Sequence, residues 1–541
     1  MNVKTDVHNG QHHLVHSHAH EEDIPGTVNM KAAEGDDTGY GQALFPVPAE
    51  DPNDPLQWSN FKKTMILIIC SFYSFLANAA LIGPSPYIDI WAGEFGVSPT
   101  EASELVSYPN LAFGFGSLIF VPLYLKFGRR PIMLLSLVTF CAGLIGASRC
   151  NTFAGLMAAR VIHAFGSCVC EALPVQLVND IFFLHERGER IGYYTVCLSL
   201  GTFASLPAGY MLAGGYGWRL FFYVEFAFGM ALLVLAFLFV EETSYNRNVA
   251  VTISSLPPSE GEKVGSEEAE HGVSGSSPVI PARKSFVQTL KPWGKIDHEV
   301  PFFTMMARSF TYFLVPQSLW VITTFGINIG LSALTYSYTF PILIVSPPYN
   351  WGVTSSGLFT IAAVIGYGLA VPFASSSDRL AAYFTKRNNG IREAEMRLGV
   401  ILPAMLIGPA GIVLYGLTAD RGLHWVWFFV GAAMSYWGAY FYFCFSLAYA
   451  VDSYNSNTSE MLIAMNLGKQ AISFGLGLKV LTWVTEKGYA VVMSGIFGGI
   501  LLANNLFLIV FMVWGKPIRK FMAETWLARL HSRSIRETLT H

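Results

Sequence analysis

Charge is scarce in this chain. Lys, Arg, Asp and Glu make up only 13 % of the 541 residues, while 52 % are hydrophobic and the mean hydropathy is +0.42. A soluble protein of this length needs about twice that charged fraction, so the composition excludes one and requires a polytopic membrane protein. The net charge of −3 is spread among loops and gives no reason to expect a nucleic-acid partner. Paired cysteines are lacking as well. The seven thiols (Cys70, Cys141, Cys150, Cys168, Cys170, Cys197, Cys444) lie in or beside apolar runs, which argues against disulfides and redox chemistry. Cys168-Val169-Cys170 has no second ligand pair, so no metal site is expected there. No apolar core follows Met1, so no signal peptide is expected. A phosphate-binding loop, a paired metal-ligand motif and a nucleophile elbow are all missing. That predicts a protein that is not an enzyme, holds no cofactor and does not spend ATP, leaving an ion gradient as the energy source.

What the chain does have is long apolar runs. A bilayer crossing takes about 20 mostly apolar residues. Twelve such spans are predicted, at 64–88, 104–125, 131–149, 153–180, 192–213, 219–240, 315–343, 354–376, 398–418, 424–450, 460–484 and 489–514. Six fall on either side of one long polar gap. This divides the chain into a polar N-terminal tail (1–60), a first six-helix bundle (61–243), a linker rich in Ser, Glu, Gly and Pro (244–300), a second bundle (301–515) and a basic C-terminal tail (516–541). Lys291-Pro292-Trp293 near the end of the linker and Phe302–Leu314 just beyond it are expected to lie along the membrane surface.

Basic residues set the orientation. Lys126, Arg129, Arg130, Arg187, Arg190, Arg379, Lys386, Arg387, Arg392 and Arg397 fall in short loops on one side, against Arg149, Arg219, Arg421 and Lys487 on the other. The richer side is expected in the cytosol, together with both termini. Six histidines (8, 12, 13, 16, 18 and 20) crowd the N-terminal tail, where incidental histidines are the expectation over a weak Zn²⁺ or Cu²⁺ site.

Span 4 carries the strongest functional signal. Arg160, Ser167 and Glu171 fall within one narrow arc of an ideal helix, and charges at that depth must face a bundle interior or a watery path. Glu171 is predicted to take up a proton or a substrate ammonium. Arg160 lies eleven residues away, about 16 Å along the axis, too far for a direct pair. Its alternative role is structural, bonded to backbone carbonyls. Glu225 in span 6, Asn328 in span 7 and Lys469 in span 11 are further polar candidates, and Trp320, Tyr336, Trp437 and Tyr440 could hold a cation against their rings or serve as packing. His163 is expected to be simply hydrogen-bonded.

Several short motifs occur in order: Gly128-Arg129-Arg130, Asp180-Ile181-Phe182-Phe183 with His185-Glu186-Arg187-Gly188, Gly217-Trp218-Arg219, Glu241-Glu242-Thr243, Pro348-Tyr349-Asn350, Arg392-Glu393-Ala394-Glu395-Met396-Arg397 and Val451-Asp452-Ser453-Tyr454. With the six-plus-six layout and the Arg-centred span 4, they resemble the major facilitator superfamily over about residues 50–520, and within it the fungal twelve-span drug:proton antiporters, nearest the branch associated with polyamines and other small cations. The resemblance implies an all-α membrane protein of the major facilitator fold, twelve transmembrane helices in two six-helix bundles, functional as a monomer. It also implies proton coupling through Arg160, and gating by Gly128, Arg129 and Arg130 and by Asp378 and Arg379. Two departures stand out. Val121 and Leu125 occupy the places where the family's first cytoplasmic motif has Gly and Asp, so an asymmetric gate lacking a carboxylate in the first half is expected. Span 5 has Gly201 and then Leu206-Pro207-Ala208-Gly209 instead of the antiporters' Gly-Pro pair, which keeps a bend at Pro207 and Gly209 but leaves the direction of transport open.

The expected function is proton-coupled, alternating-access transport of a small organic substrate, best a polyamine, drug or other organic cation. The plasma membrane is the expected location, with the vacuolar membrane as the alternative. An exporter of a neutral or anionic metabolite, or a nutrient sensor that does not transport, remains open at this point.

Overall fold

The computed structural model describes residues 27–29, 51–182, 190, 193–194, 196–244, 285–291, 293, 302–373, 376–388, 391–453 and 458–531. Among them, ten helices are long and apolar enough to cross a membrane. They are α1 (Asn60–Phe95), α2 (Pro99–Phe127), α3 (Arg129–Arg149), α4 (Phe153–Ile181), α6 (Arg219–Phe239), α7 (Pro316–Val345), α8 (Thr354–Phe373), α9 (Ala394–Arg421), α10 (Val426–Ala450) and α12 (Val491–Glu524). Two more complete the order: α5 (Val196–Leu212), a shorter apolar helix, and α11 (Thr458–Lys487). The polar character of α11 has a structural reason, since Asn466, Lys469, Gln470 and Ser473 are all buried where it runs between the two bundles.

Local chemistry sets the helix ends. Ser98 and Glu101 cap α2 reciprocally, with Pro99 in its first turn. Thr152 caps α4 by accepting from the Gly155 amide at 3.2 Å. Pro84 and Pro86 interrupt α1, which resumes at Ile88. Small residues let neighbours approach: a Cβ on Gly166 would lie 2.5 Å from the Phe140 backbone, which fixes how closely α3 and α4 pack.

The apolar core of the first half runs on into Leu334, Tyr338, Ile463 and Leu467 of the second, which has two further clusters of its own. The halves meet through α2 against α11 and α5 against α8. Phe302–Thr311 forms a helix with Phe303 and Phe310 exposed, while Met305, Arg308 and Ser309 are buried. Of the linker, Phe286–Thr289 is a short helix docked on the first half, where the Thr289 carbonyl accepts from Arg130. Most of the remaining linker and the N-terminal histidines lie outside the described residues. A two-stranded antiparallel pairing joins β1 (Thr27–Asn29) to β2 (Ile391–Glu393). This tethers a piece of the N-terminal tail to the second half, at the basic end of the molecule, where Lys516 and Arg519 pair with Glu393.

Candidate functional site

The regular helix of α4 tightens into a 3-10 turn at Cys168–Cys170 before resuming at Ala172. Three residues at about 120° instead of about 100° rotate the rest of the helix by roughly 60°. The face expected to carry Arg160, Ser167 and Glu171 together is therefore split. Ser167 turns its hydroxyl onto the Ala164 carbonyl of its own helix at 3.1 Å.

Arg160 is fully buried and bonded to carbonyl oxygens. Its Nε donates to Leu105, one Nη donates to Leu81 at 2.9 Å, and the other approaches Ala80 at 3.5 Å. Two of these acceptors are free for a reason visible in the chain. A helical carbonyl accepts from the amide four residues on, and those positions after Leu105 and Ala80 are Pro109 and Pro84, which have no N–H. Arg160 thus replaces two helix bonds that proline removes, while its guanidinium lies 5.6 Å from the Trp91 ring centroid and 5.7 Å from that of Phe222. This is the structural alternative raised for Arg160 from its position in the sequence. His163, one turn on, is fully buried with neither ring nitrogen bonded, against the expectation of a hydrogen-bonded ring.

Glu171 meets a different cation. The Lys469 ammonium of α11 donates to its Oε2, and among the described residues this is the ion pair that joins one half to the other. Glu171 is ten residues from the end of α4 at Ile181, and Lys469 is eleven from the start of α11 at Thr458. At about 1.5 Å per residue both lie roughly 15–17 Å inside the basic end, near the middle of a bilayer core about 30 Å thick. The Lys469 side chain is 8 % exposed and that of Glu171 20 %, so the carboxylate keeps an open side. Tyr194 donates to the Glu171 backbone carbonyl at 2.9 Å and holds the turn in place.

Farther from the basic end, a small cavity opens between the halves. Ser85, Thr202 and Ser205 line it from the first half, with Tyr336, Ser337 and Thr360 from the second. Beyond it α5 and α8 pack closely, since a Cβ on Gly209 would lie 2.8 Å from the Thr354 carbonyl oxygen, and at the depth of the cavity Ser107 and Tyr338 share a 2.7 Å hydrogen bond across the halves. Gly209 thus sits at the crossing of α5 and α8, whereas neighbouring Pro207 is exposed.

The remaining candidates are dispersed. Glu225 is buried in α6 with one carboxylate oxygen lacking any partner. Asn328 donates to the Thr324 carbonyl of its own helix at 2.8 Å. Trp320 packs on Tyr449 and Phe511 inside the second half, Trp437 on Phe373 and Phe441, and Tyr440 on Tyr367 and Phe441. Of the aromatic candidates, Tyr336 reaches the cavity, held by Ser435 at 2.7 Å.

At the basic end, the arginines of the first half meet carboxylates from the ends of α4 and α6. Gly128, at φ 100°, turns the chain so that the Arg129 and Arg130 amides both donate to Glu242, at 3.0 and 3.1 Å. Arg129 pairs with Asp180 at 3.1 Å, Thr243 donates to the same oxygen at 3.0 Å, and Lys62 pairs with Glu241 at 2.7 Å. Asp180 and Glu242 thus hold the Arg129–Arg130 turn, and these contacts lie within one half. In the second half Arg379 is exposed, and the Asp378 side chain lies outside the described residues. There Arg519 is gripped by Glu395 at 2.6 and 2.7 Å and by Glu393 at 2.7 Å. These acidic residues stand in the ordered motifs, but nothing in the sequence says which cation each meets.

Known proteins of one kind resemble this chain. The family model described as Major Facilitator Superfamily matches residues 67–478. An uncharacterized MFS-type transporter of Schizosaccharomyces pombe is 24 % identical over 566 aligned residues, covering 95 % of each chain. The efflux pump FUBT of Fusarium oxysporum is 23 % identical, covering 99 % of this chain and 85 % of its own. Among solved structures, that of a D-xylose-proton symporter aligns with a TM-score of 0.53 at 13 % identity, covering 82 % of this chain and 97 % of that one, a likeness of fold.

Proposed function

The chain belongs to the major facilitator superfamily of membrane transporters, and from that premise we propose that it moves a small organic cation, a polyamine or a drug-like amine, in exchange for protons. One observation carries this reading. The carboxylate nearest the middle of the membrane at the junction of the two halves, Glu171, is already engaged by an ammonium, that of Lys469. A site that holds a tethered ammonium has the charge and geometry to hold a free one.

Two bundles rocking about this point would expose Glu171 first to one side and then to the other. With α5 and α8 packed closely at Gly209, beyond the cavity, the route from Glu171 leads toward the basic end, which we place in the cytosol with both termini because Lys and Arg concentrate there. Arg160 supports the site as a brace for α1, α2 and α4. Glu225 is proposed as an accessory carboxylate, and the plasma membrane as the location.

A second reading has its own support. The cavity between the halves is lined by hydroxyls and Tyr336, a surface suited to a neutral polyhydroxylated metabolite. Uptake and efflux of labelled spermidine in vesicles with an imposed proton gradient, measured on the native chain and on Glu171→Gln, decides between the two. Gradient-driven flux that Glu171→Gln abolishes supports the cation reading. Flux unchanged in the variant, or displaced by neutral sugars and not by amines, would refute it.

A further inference from the structure

We propose that the proton exchanged for the substrate is carried by Lys469, not by Glu171. The inference rests on the cation-carrier reading above and goes further in naming the residue that couples.

Charge balance leads to it. With Lys469 protonated, the Glu171–Lys469 pair is neutral. A substrate ammonium that takes over Glu171 would leave the Lys469 ammonium without a counter-ion. Lys469 is 7 % exposed. Among the described residues no second carboxylate lies within ion-pair distance of it. Cys170 precedes Glu171 in the chain and Tyr194 donates to the Glu171 carbonyl, and neither of these titratable neighbours offers a carboxylate. Arg160 is committed to carbonyl oxygens and does not enter the exchange. An unpaired buried ammonium is costly, and lysine avoids the cost by releasing a proton.

The exchange then balances. Before it, Glu171 carries −1 and Lys469 +1. Afterwards Glu171 carries −1, the substrate ammonium +1 and Lys469, now a neutral amine, zero. One proton leaves the Lys469 nitrogen for water on the side to which the site is open. No formal charge is gained at the pair itself, so with a monovalent amine both the substrate-free and the loaded carrier can reorient, whereas the further ammonium groups of a polyamine add their own charge to the loaded form. The same step parts α4 from α11, which links occupancy of the site to movement of the halves.

Arginine at position 469 keeps a cation on Glu171 but does not release its proton in this range, and methionine keeps the apolar stem with no proton to give. The test reconstitutes the native chain, Lys469→Arg, Lys469→Met, Glu171→Gln and the double variant Glu171→Gln/Lys469→Met in liposomes holding a pH-sensitive dye. Labelled spermidine is the probe. The native chain should accumulate spermidine against an imposed pH difference and move protons as it does so. Both Lys469 variants should lose that accumulation at least tenfold. Lys469→Met should still exchange labelled for unlabelled spermidine at equal pH, which also shows that it is folded, whereas the neutral double variant should elute as a monodisperse protein and exchange nothing.

Lys469→Met that still accumulates spermidine and moves protons as the native chain does would overturn the assignment and return the proton to Glu171, leaving the cation reading intact. Native chain that moves no spermidine under any gradient would overturn both.

Discussion

Arg160 donates through Nε to the carbonyl oxygen of Leu105, the acceptor that Pro109, one helical turn on, cannot serve because it has no N–H. The charge at the heart of α4 is therefore accounted for by a defect in α2, and by a second one in α1 at Pro84. A charged side chain deep in a membrane bundle is usually read as a functional mark. Here its bonds are those of a brace between three helices.

The brace can be tested by supplying the missing N–H. Arg160→Met should lower stability by about 2–4 kcal/mol, since it strands buried carbonyls. Pro109→Ala restores an amide opposite Leu105, so adding it to Arg160→Met should recover part of the loss. Denaturation midpoints of the two single variants and the double variant check this, and strictly additive effects would refute it.

Gly209 controls the closed crossing of α5 and α8. A methyl group there meets the Thr354 carbonyl oxygen at 2.8 Å, so the two helices must part. In Gly209→Ala, a cysteine placed at Ser205 should react with a water-soluble maleimide about tenfold faster, as for a shift of about 1.4 kcal/mol between closed and open forms. Equal labelling rates with and without Gly209→Ala would contradict the assignment.

Glu242 closes the N-terminus of α3, where free amides and the helix dipole favour a carboxylate. Glu242→Ala should cost about 1–2 kcal/mol in thermal stability. The Phe286–Thr289 helix docks on Arg130 beside it, so that segment should become more open to protease in the same variant.

The C-terminal segment should undock in acid. His531 is buried, stacked on Tyr312 with centroids 4.2 Å apart and bonded to Thr311 at 2.7 Å. Burial, with the nearby Arg308 guanidinium adding to it, pushes its pKa down to about 4. A histidine with a depressed pKa prefers the docked, neutral form, so docking is at full strength above the ordinary value near 6.5 and is lost progressively as pH falls toward 4. Hydrogen exchange of residues 526–531 should accelerate across that window. His531→Phe, which cannot take a proton, should abolish the pH dependence.

The spans were readable because a membrane leaves little choice. Backbone groups must bond within their own segment, so an apolar run of sufficient length is a helix. The candidate site was readable only in its parts. Glu171 and Lys469 each stood out as a charge in an apolar run, yet they are 298 positions apart and nothing local couples them. The shared face expected for Arg160, Ser167 and Glu171 failed because a three-residue change of helix type at Cys168–Cys170 alters the phase. Asp180 and Glu242 were visible as letters of motifs, but which arginine or amide each one meets depends on where α4 and α6 end in space.

By itself, then, the sequence determined a twelve-helix membrane protein in two halves, its basic end, and the residues whose burial has to be explained. These follow from hydropathy, length and charge, which act along the chain. Tertiary structure decided which charge meets which. It gave Arg160 to carbonyls that prolines had freed, Glu171 to a lysine from the other half, and Arg519 to Glu393 and Glu395. In a medium of low dielectric every buried charge must find a partner, and the choice among partners is made by the approach of helices that are far apart in sequence.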